Sequence, residues 1–278
     1  MHGKTVVITG GTSGIGEVAA VKLAAMGARI VLVARDHARG EATLARLRAA
    51  GPGAPHRVFY ADLSLLGEMK QAGLEIASEE PRIDVLINNA GALFTRRQET
   101  KDGLEMTFAT NHLSYFVLTR LLLEKLKASA PARIVNTASH AHRGAKLDFS
   151  DLQMVKSFRA PRAYGCSKLC NILFTRELAR RLAGSGVTAN SLHPGFVNTR
   201  LGDQNRGLGI HIFRFLKRRA LTPEAGAETL IYLASSDEPA AVSGQYFYKC
   251  HVVEPSKEAQ DDGAARRLWE ESERLSGL

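Results

Sequence analysis

The sequence predicts an α/β fold in which a parallel sheet of about seven strands carries helices on both of its faces. Short apolar runs that are rich in β-branched residues alternate along the whole chain with longer segments of helical periodicity. The runs are apolar throughout rather than at every second residue, which is typical of strands buried on both faces. No linker rich in Pro, Gly or Ser and no internal repeat interrupts this alternation, so residues 1–278 are predicted to form a single, doubly wound Rossmann domain.

The first half of the chain contains four predicted strands separated by helices. Each strand is a short run of Val, Ile, Leu or aromatic residues, and each helix has apolar residues three or four positions apart. The strands are 4–9, 28–34, 56–61 and 83–89, and the helices between them are 14–26, 37–50 and about 65–79. Asp36 stands immediately before the second helix and is expected to cap it.

The second half repeats the pattern with longer connections. Its predicted elements are a helix at 102–129, a strand at 132–139, a helix that includes 163–178, a strand at 186–195, a helix at 221–235 and a strand at 244–248. Thr222 and Pro223 suit the N-cap and the first position of the helix at 221–235. Two connections are long, about 140–162 and about 196–221, and loops of that length in a compact domain are commonly functional.

The C-terminal segment, about 261–276, is predicted to be an amphipathic helix. Its apolar side includes Leu268, Trp269 and Leu275. An apolar helix face needs a partner that removes it from water. The sequence leaves open whether that partner is the rest of the chain or a second subunit, so a homo-oligomer remains one of the possible assemblies.

Composition and charge exclude several classes of protein. The 278 residues are 45% hydrophobic, but no run reaches the roughly 18 uninterrupted apolar residues of a membrane span. The N-terminus lacks the separate basic and apolar regions of a signal peptide, so a cytoplasmic location is expected. The formal net charge of +9 indicates a basic surface that attracts anionic ligands. Without a basic stripe or a recognisable motif, nucleic acid is not an expected partner.

The cysteines and histidines do not indicate a metal site or a disulfide framework. The three cysteines, Cys166, Cys170 and Cys250, are odd in number, and they lack the spacing of a zinc motif. His140 and His142 stand two positions apart, but no carboxylate or cysteine accompanies them at ligand spacing. No metal is therefore expected.

The first predicted strand leads into the glycine-rich segment TGGTSGIG, residues 9–16. Gly10 and Gly14 permit a tight turn and close approach of the backbone, and Gly16 lets the next helix lie against the strand. Free N–H groups at the start of that helix would face a bound pyrophosphate. The spacing is GxxxGxG rather than GxGxxG, but its place after the first strand of an α/β chain indicates dinucleotide binding.

The end of the second strand indicates which dinucleotide is bound. In NAD-binding units of this architecture, an acidic residue about 20 positions beyond the glycines binds the ribose 2′-hydroxyl. Here that position is Ala34, and Arg35 follows it. A guanidinium in place of a carboxylate favours a 2′-phosphate, so NADP (NADPH) is the predicted cofactor.

Tyr164 and Lys168 lie one turn apart on a predicted helix, and packing requires neither of them. A free phenol has a pKa near 10 and transfers protons poorly at neutral pH, and an adjacent ammonium group lowers that pKa. A tyrosine and a lysine at this spacing are commonly no more than a solvated helix face. Other motifs in the chain must therefore decide whether the pair is catalytic.

Further motifs follow in order along the chain. They are ADL (61–63), NNAG (88–91), Asn111, Ser139, YGCSK (164–168) and HPG (193–195). Together with the glycine-rich turn, they cover nearly the whole chain, and in order and spacing the sequence resembles the short-chain dehydrogenase/reductase family. Longer stretches such as SKLCNILFTRELARRL are similar to its retinol dehydrogenase-like branch. The resemblance implies an oxidoreductase that transfers hydride between a nicotinamide cofactor and a carbonyl or alcohol carbon.

The resemblance implies catalytic roles for four residues. Tyr164 would be the general acid and base, and Lys168 would lower its pKa and hold the nicotinamide ribose. Ser139 would bind and orient the reacting oxygen. Asn111 would position a water molecule that links Lys168 to solvent.

The resemblance also implies where the adenosine half of the cofactor would bind. Ile15 would provide a backbone N–H at the pyrophosphate, and Asp62 would contact the edge of the adenine. Asn88, Ala90 and Gly91 would line the adenosine ribose. Of these, Asn88 has a plain structural alternative, because an asparagine at the end of a strand can simply close a turn.

At the other end of the cofactor, Pro194 and Gly195 would shape the nicotinamide pocket. Val197 would touch the carboxamide through its backbone, and Thr199 would reach a phosphate. The full predicted cofactor-binding set is Gly10, Thr12, Ser13, Gly14, Ile15, Gly16, Arg35, Asp62, Leu63, Asn88, Ala90, Gly91, Tyr164, Lys168, Pro194, Gly195, Val197 and Thr199.

The segment at about 196–221 is interpreted as a lid over the substrate. It contains several glycines, and its cluster of apolar residues, IHIFRF (210–215), is followed by basic ones. Covering the core or a neighbouring subunit is the structural alternative. A lid of this kind predicts a small apolar carbonyl or alcohol substrate, either retinal-like or a long-chain or cyclic aldehyde or ketone. Its basic edge leaves a peripheral contact with a membrane surface possible.

Two other functions remain to be weighed. A ketoreductase that acts on a polycyclic or secondary-metabolite ketone would share these motifs. A dinucleotide-sensing protein without turnover would be expected to lack a catalytic residue, and here all four are present. Consumption of NADPH with a panel of aldehydes and ketones separates these hypotheses.

Overall fold

The computed structural model describes residues 1–197 and 221–278. Within these ranges the strands are β1 (Thr5–Thr9), β2 (Arg29–Ala34), β3 (Arg57–Tyr60), β4 (Val85–Asn88), β5 (Ala132–Thr137), β6 (Val187–Leu192), β7 (Tyr246–Tyr248) and β8 (His251–Val252). They form one sheet in the order β3-β2-β1-β4-β5-β6-β7-β8. Strands β1 to β7 are parallel, and β8 is antiparallel to β7. The doubly wound α/β fold predicted from the sequence is confirmed.

Strand β8 is absent from the sequence-based prediction of about seven strands. It forms because Lys249 and Cys250 both adopt positive φ angles, of 49° and 63°, and reverse the chain into a two-residue hairpin. Such turns usually contain Gly, Asn or Asp, so these two residues give no sequence signal. The backbone N–H of Cys250 donates to the Thr229 hydroxyl over 3.1 Å, which helps to hold the turn.

The described helices flank the sheet. They are α1 (Gly14–Ala25), α2 (His37–Ala50), α3 (Leu66–Glu79), α4 (Met106–Phe108), α5 (Ser114–Ala128), α6 (Ala160–Arg181), α7 (Pro223–Ser235) and α8 (Asp262–Ser276). Both predicted caps are confirmed. The Asp36 carboxylate accepts from the backbone N–H of Arg39 over 2.9 Å, and the Thr222 hydroxyl accepts from that of Ala225 over 3.3 Å.

Each face of the sheet has its own apolar core. Successive residues of a strand point to opposite faces, so Val6 and Ile8 of β1 pack on one side and Val7 on the other. The first core includes residues of α1 and α7, and the second includes residues of α3, α5, α6 and α8. All three β1 side chains are fully buried, as expected of a central strand.

The predicted helix at 102–129 is interrupted in the structure. It begins only at Met106, because the Glu105 carboxylate accepts from the N–H groups of Thr107 and Phe108 and caps α4. A π-turn, Ala109–Leu113, then separates α4 from α5. Such turns carry one extra residue and are frequent at functional sites. Asn111 lies at the centre of this one.

Helix α8 packs against α6 of the same chain, which answers the question that the sequence left open. Trp269 is 3% exposed and stacks on Phe174, with ring centroids 5.8 Å apart. Its ring also meets the edge of Phe116 at 5.1 Å. At the start of α8, Asp262 pairs with Arg176 over 3.0 Å. Helix α8 therefore packs on the helix that carries Tyr164 and Lys168.

The predicted lid at about 196–221 lies almost entirely outside the described residues, together with Thr199. The described residues on either side of it are joined. Val197 and Leu221 form a parallel β-bridge, and the backbone N–H of Leu221 donates to the Phe196 carbonyl over 2.8 Å. Among the described helices, none combines the length and the apolar character that crossing a bilayer requires.

Candidate active site

The four predicted catalytic residues lie at the carboxyl edge of the sheet, on three different elements. Ser139 follows the end of β5 by two residues, and Tyr164 and Lys168 belong to the first turns of α6. Asn111 belongs to the π-turn between α4 and α5. Ligands of open parallel sheets bind outside this edge. The fold therefore brings together residues that are up to 57 positions apart in the sequence.

The Ser139 hydroxyl lies beside the Tyr164 phenol, close enough to lower the pKa of that phenol. Ser139 also caps the short helical turn His140–His142, since its hydroxyl accepts from the Ala141 N–H over 3.2 Å. The serine hydroxyl is thus held at a turn beside the phenol. Two hydroxyl groups that converge in this way can both contact one oxygen of a substrate.

Lys168 is almost completely buried, with 3% of its surface exposed. Its Nζ donates to the carbonyl oxygen of Thr137 over 3.1 Å and lies 5.7 Å from the centroid of the Tyr164 ring. A second ring, that of Tyr115, has its centroid 5.8 Å away. Burial lowers the pKa of Lys168 to about 7, because the charged form loses its hydration.

The pKa of Tyr164 differs from the sequence-based expectation. Burial of the phenol raises its pKa to about 12, and the neighbouring Ser139 hydroxyl offsets this only in part. Lys168 does not lower the pKa of Tyr164 as expected. The physical reason is that Lys168 is itself desolvated, and an amine with a pKa of about 7 is only half charged at neutral pH.

Asn111 is held on both sides of its amide group. Its Oδ1 accepts from the Ala92 N–H over 2.7 Å, and its Nδ2 donates to the Ala92 carbonyl over 2.9 Å. The same Nδ2 donates to the Ser167 hydroxyl over 3.0 Å. The backbone carbonyl of Asn111 accepts from Asn171. Its proposed role in holding a water molecule stays a prediction.

The glycine-rich turn has the form that a pyrophosphate requires. Gly10 has a φ of 65°, and a Cβ there would lie 2.7 Å from the Cα of Ala90, so only glycine fits. Gly14 also has a positive φ, of 57°. Ser13 is the N-cap of α1, but its side chain makes no capping hydrogen bond to the helix. The first N–H groups of α1 are therefore left for an anionic ligand.

Arg35 lies at the end of β2, where the sequence places the 2′-phosphate. Its side chain is 71% exposed, and its NH1 is 3.7 Å from a carboxylate oxygen of Asp62. The other oxygen of Asp62 accepts from the backbone and the hydroxyl of Ser64, over 3.0 and 2.8 Å. Leu63, between them, is buried. Arg35 and Asp62 thus lie side by side, as a joint adenosine site would require.

The structure corrects in part the prediction that Asn88 lines the adenosine ribose. The residue is fully buried, and its Nδ2 donates to Thr119 and to Asn136 over 3.0 and 2.9 Å, so its side chain is turned into the core and not toward a ligand. It links strands and helix inside the core. The next residue, Asn89, faces the glycine-rich turn and donates from its Nδ2 to the carbonyls of Thr9 and Gly10.

The remaining predicted contacts border the same edge. Ala90 is fixed by its N–H to Thr9 and by its carbonyl to Tyr115, over 3.0 and 2.9 Å. A Cβ on Gly91 would lie 3.4 Å from the Nζ of Lys168, which places this glycine directly beside the lysine ammonium. Pro194 and Gly195 follow β6, and Gly195 has a φ of 85°.

Comparison with known proteins decides the family. The model of the family described as short chain dehydrogenase matches residues 4–207. The chain belongs to this family. Retinol dehydrogenase 13 from Homo sapiens is 44% identical over 288 residues, which cover 99% of this chain and 85% of that protein. The sequence is thus retinol dehydrogenase-like, as its motifs indicate.

Solved structures agree with the fold of this short-chain dehydrogenase. An uncharacterized protein from Mycobacterium paratuberculosis superposes with a TM-score of 0.79 at 34% identity, over 100% of this chain and 94% of that one. The RhlG/NADP active-site complex from Pseudomonas aeruginosa gives a TM-score of 0.70 at 28% identity, over 89% and 94% of the two chains.

Sequence reasoning missed two buried polar residues that adjoin the predicted catalytic residues of this short-chain dehydrogenase. Asn171 donates to the carbonyls of Asn111 and Thr137. His112 directly follows Asn111 in the π-turn. A signal for Asn171 was available. Tyr164, Lys168 and Asn171 fall four and three residues apart, so they form one polar stripe along the helix.

Two other features of this short-chain dehydrogenase were considered from the sequence, a metal site and the cysteine thiols. Among residues 1–197 and 221–278, no cluster of three or more His, Cys, Asp or Glu side chains is arranged to hold a metal. Cys166 is buried, its Sγ donates to the Lys146 carbonyl over 3.5 Å, and burial raises its pKa. A thiol with a raised pKa is a weak nucleophile.

Proposed function

We propose that this short-chain dehydrogenase transfers hydride between NADP(H) and the carbonyl or alcohol carbon of an apolar substrate. The observation that carries the proposal is the convergence of Ser139, Tyr164 and Lys168 at the same edge of the sheet as the open N-terminus of α1. The glycine-rich turn suits a pyrophosphate, and Arg35 suits a 2′-phosphate.

Ser139 and Tyr164 would act on the same oxygen of the substrate. In reduction, both hydroxyls would donate hydrogen bonds to the carbonyl oxygen, and Tyr164 would transfer its proton as negative charge develops there. In oxidation, the same group would remove the proton from the alcohol. The raised pKa of Tyr164 keeps the phenol protonated in the cofactor-free protein, which suits the reductive direction.

When bound, the cofactor supplies the hydride and, in its oxidised form, a positive charge on the nicotinamide ring. Gly10, Gly14 and the N-terminus of α1 would hold the pyrophosphate, and Lys168 would hold the nicotinamide ribose. Gly91 leaves the approach to the Lys168 ammonium open, because it carries no side chain. The residues present therefore fit a nicotinamide dinucleotide.

Two observations support an apolar substrate. Phe196 and Leu221, which flank the predicted lid, are 52% and 38% exposed at the carboxyl edge of the sheet. Apolar side chains exposed beside a site favour apolar ligands. The relative at 44% identity is named for retinol, an apolar alcohol.

The proposal is tested by following NADPH consumption with aldehydes of rising chain length, with cyclic ketones and with small polar carbonyls. We expect kcat/KM to rise with chain length, by up to about 0.8 kcal/mol for each buried CH₂, until the pocket is full. Preference for a polycyclic ketone would indicate a ketoreductase. Binding of NADPH without turnover of any compound would indicate a sensor and contradict the proposal.

A further inference from the structure

One buried amide group connects three elements of the active site. Asn171 on α6 is fully buried, and its Nδ2 donates to the carbonyl of Asn111 over 2.9 Å and to that of Thr137 over 3.1 Å. The Thr137 carbonyl is the same atom that receives Lys168. The amide of Asn171 thus ties together the π-turn, the end of β5 and the helix of the catalytic lysine.

The other end of that amide meets an unpartnered histidine nitrogen. The Oδ1 of Asn171 and the Nδ1 of His112 are both buried and lack a hydrogen bond of full geometry. They are close neighbours all the same, since His112 directly follows Asn111, whose carbonyl accepts from Asn171, and since Asn171 is near enough to raise the pKa of His112. The two N–H groups of Asn171 are already used, so its amide cannot turn round and only its oxygen can face His112.

The second nitrogen of His112 leads to the C-terminal helix. Its Nε2 lies 3.0 Å from the Ser272 hydroxyl of α8. That hydroxyl is also 2.7 Å from the Leu268 carbonyl, so its proton has two acceptors within reach. If Ser272 donates to Nε2, then Nδ1 of His112 carries the proton and can donate to Asn171. The opposite tautomer would leave two acceptors facing each other.

We propose that His112 and Asn171 are positioning residues for Lys168, with His112 as the Nδ1–H tautomer that holds the Asn171 amide against the Thr137 and Asn111 carbonyls. The connection runs from Ser272 on α8 through His112 and Asn171 to the carbonyl that fixes the lysine. Burial lowers the pKa of His112 to about 4, so the ring is neutral and has one proton to place at pH 7. The inference rests on the proposed function for its catalytic consequence.

The test compares Asn171→Leu and His112→Phe with the wild type, and Thr175→Val serves as a matched control. Thr175 is buried one turn further along α6 and bonds to Asn136 and to the Asn171 carbonyl, away from Lys168. We expect kcat with NADPH to fall about tenfold in both variants, the factor that corresponds to one lost buried hydrogen bond. The KM for NADPH should change less than kcat, and the pH dependence of kcat should shift. His112→Gln, which keeps a donor, should recover part of the loss.

A second readout does not depend on turnover. Nitrogen chemical shifts of His112 in the labelled wild-type protein should show a proton on Nδ1, and Asn171→Leu should change that tautomer balance. A proton on Nε2 in the wild type would overturn the inference, as would an unchanged pH dependence of kcat in Asn171→Leu. If no carbonyl compound in the panel supports oxidation of NADPH by the wild type, the proposed function fails. The tautomer of His112 still tests whether His112 holds the Asn171 amide in place.

Discussion

Lys168 and Asn171 donate hydrogen bonds to one atom, the carbonyl oxygen of Thr137, and both distances are 3.1 Å. The ammonium of Lys168 is therefore fixed at the end of β5 in a place from which water is excluded. Its pKa of about 7 is a consequence of that burial. A buried lysine with a lowered pKa affects the stability of the protein as well as its chemistry.

Stability of the cofactor-free protein should rise with pH because of Lys168. The unfolded chain holds a proton on this lysine up to its usual pKa of 10.5, whereas the folded chain releases it above about 7. The unfolded state thus binds more protons between pH 7 and 9, and folding becomes more favourable by about 2 kcal/mol over that interval. Urea unfolding at pH 7, 8 and 9 measures this.

Lys168→Met removes the titrating group and keeps most of the side-chain volume, so it provides the control. The difference in the free energy of unfolding between the two proteins should change with pH in the same interval. Parallel pH dependences would mean that Lys168 keeps an ordinary pKa in the folded protein. The pKa of Tyr164, at about 12, lies above the interval and does not contribute.

Tyr164→Phe should remove turnover and leave cofactor binding nearly unchanged. The variant loses the hydroxyl that lies beside Ser139 but keeps the ring beside Lys168. Loss of a general acid typically costs a factor of about 10² to 10⁴. NADPH affinity by fluorescence and kcat with an aldehyde are the measurements. Tyr232→Phe on α7 is the control, and substantial activity in Tyr164→Phe would mean that the proton comes from another group.

Arg35→Ala should weaken the preference for NADPH over NADH. The exposed guanidinium beside Asp62 is the group expected to meet a 2′-phosphate, and a charge-assisted hydrogen bond of this kind contributes about 1.5–3 kcal/mol. We expect kcat/KM with NADPH to fall about tenfold or more, and that with NADH to change little. Arg48→Ala, an exposed arginine near the end of α2, is the control. An equal loss with both cofactors would argue against the assignment.

Trp269→Ala should destabilise the protein by about 3–5 kcal/mol. The indole is 3% exposed, stacks on Phe174 and receives the guanidinium of Arg181 at 4.2 Å from its centroid. Urea unfolding measures the loss. Glu270→Ala, the exposed neighbour on α8, should change stability by less than about 0.5 kcal/mol. Similar effects of the two substitutions would show that α8 contributes little to folding.

Local chemistry explains the parts that the sequence predicted well. The caps by Asp36 and Thr222 depend on side chains within three residues of the bonds that they make, so spacing alone finds them. The buried strands are short runs of apolar residues in an alternating α/β pattern. The order of the motifs also places Ser139 and Tyr164 at one edge, where the structure brings them close together.

The parts that sequence reasoning missed depend on contacts between distant residues. The hairpin at Lys249 and Cys250 is held by Thr229, and the π-turn is held by bonds from Asn111 to Ala92 and Ser167. No propensity reports such contacts. Sequence reasoning also missed the raised pKa of Tyr164, because burial in the folded protein determines that pKa. The inward orientation of Asn88 likewise follows from partners that lie 31 and 48 positions away.

The docking of α8 on α6 has a consequence for biosynthesis. The ribosome makes α8 after every strand of the described sheet, so the whole sheet is made before α6 receives its cover. A product ended by a premature stop codon before Asp262 would keep the glycine-rich turn and all four of the side chains that are predicted to be catalytic. It would also present Phe116 and Phe174 to solvent, since Trp269 covers both. Exposed aromatic surface of this kind is what chaperones and proteases act on, so cells should clear the shortened chain although its active-site sequence is complete.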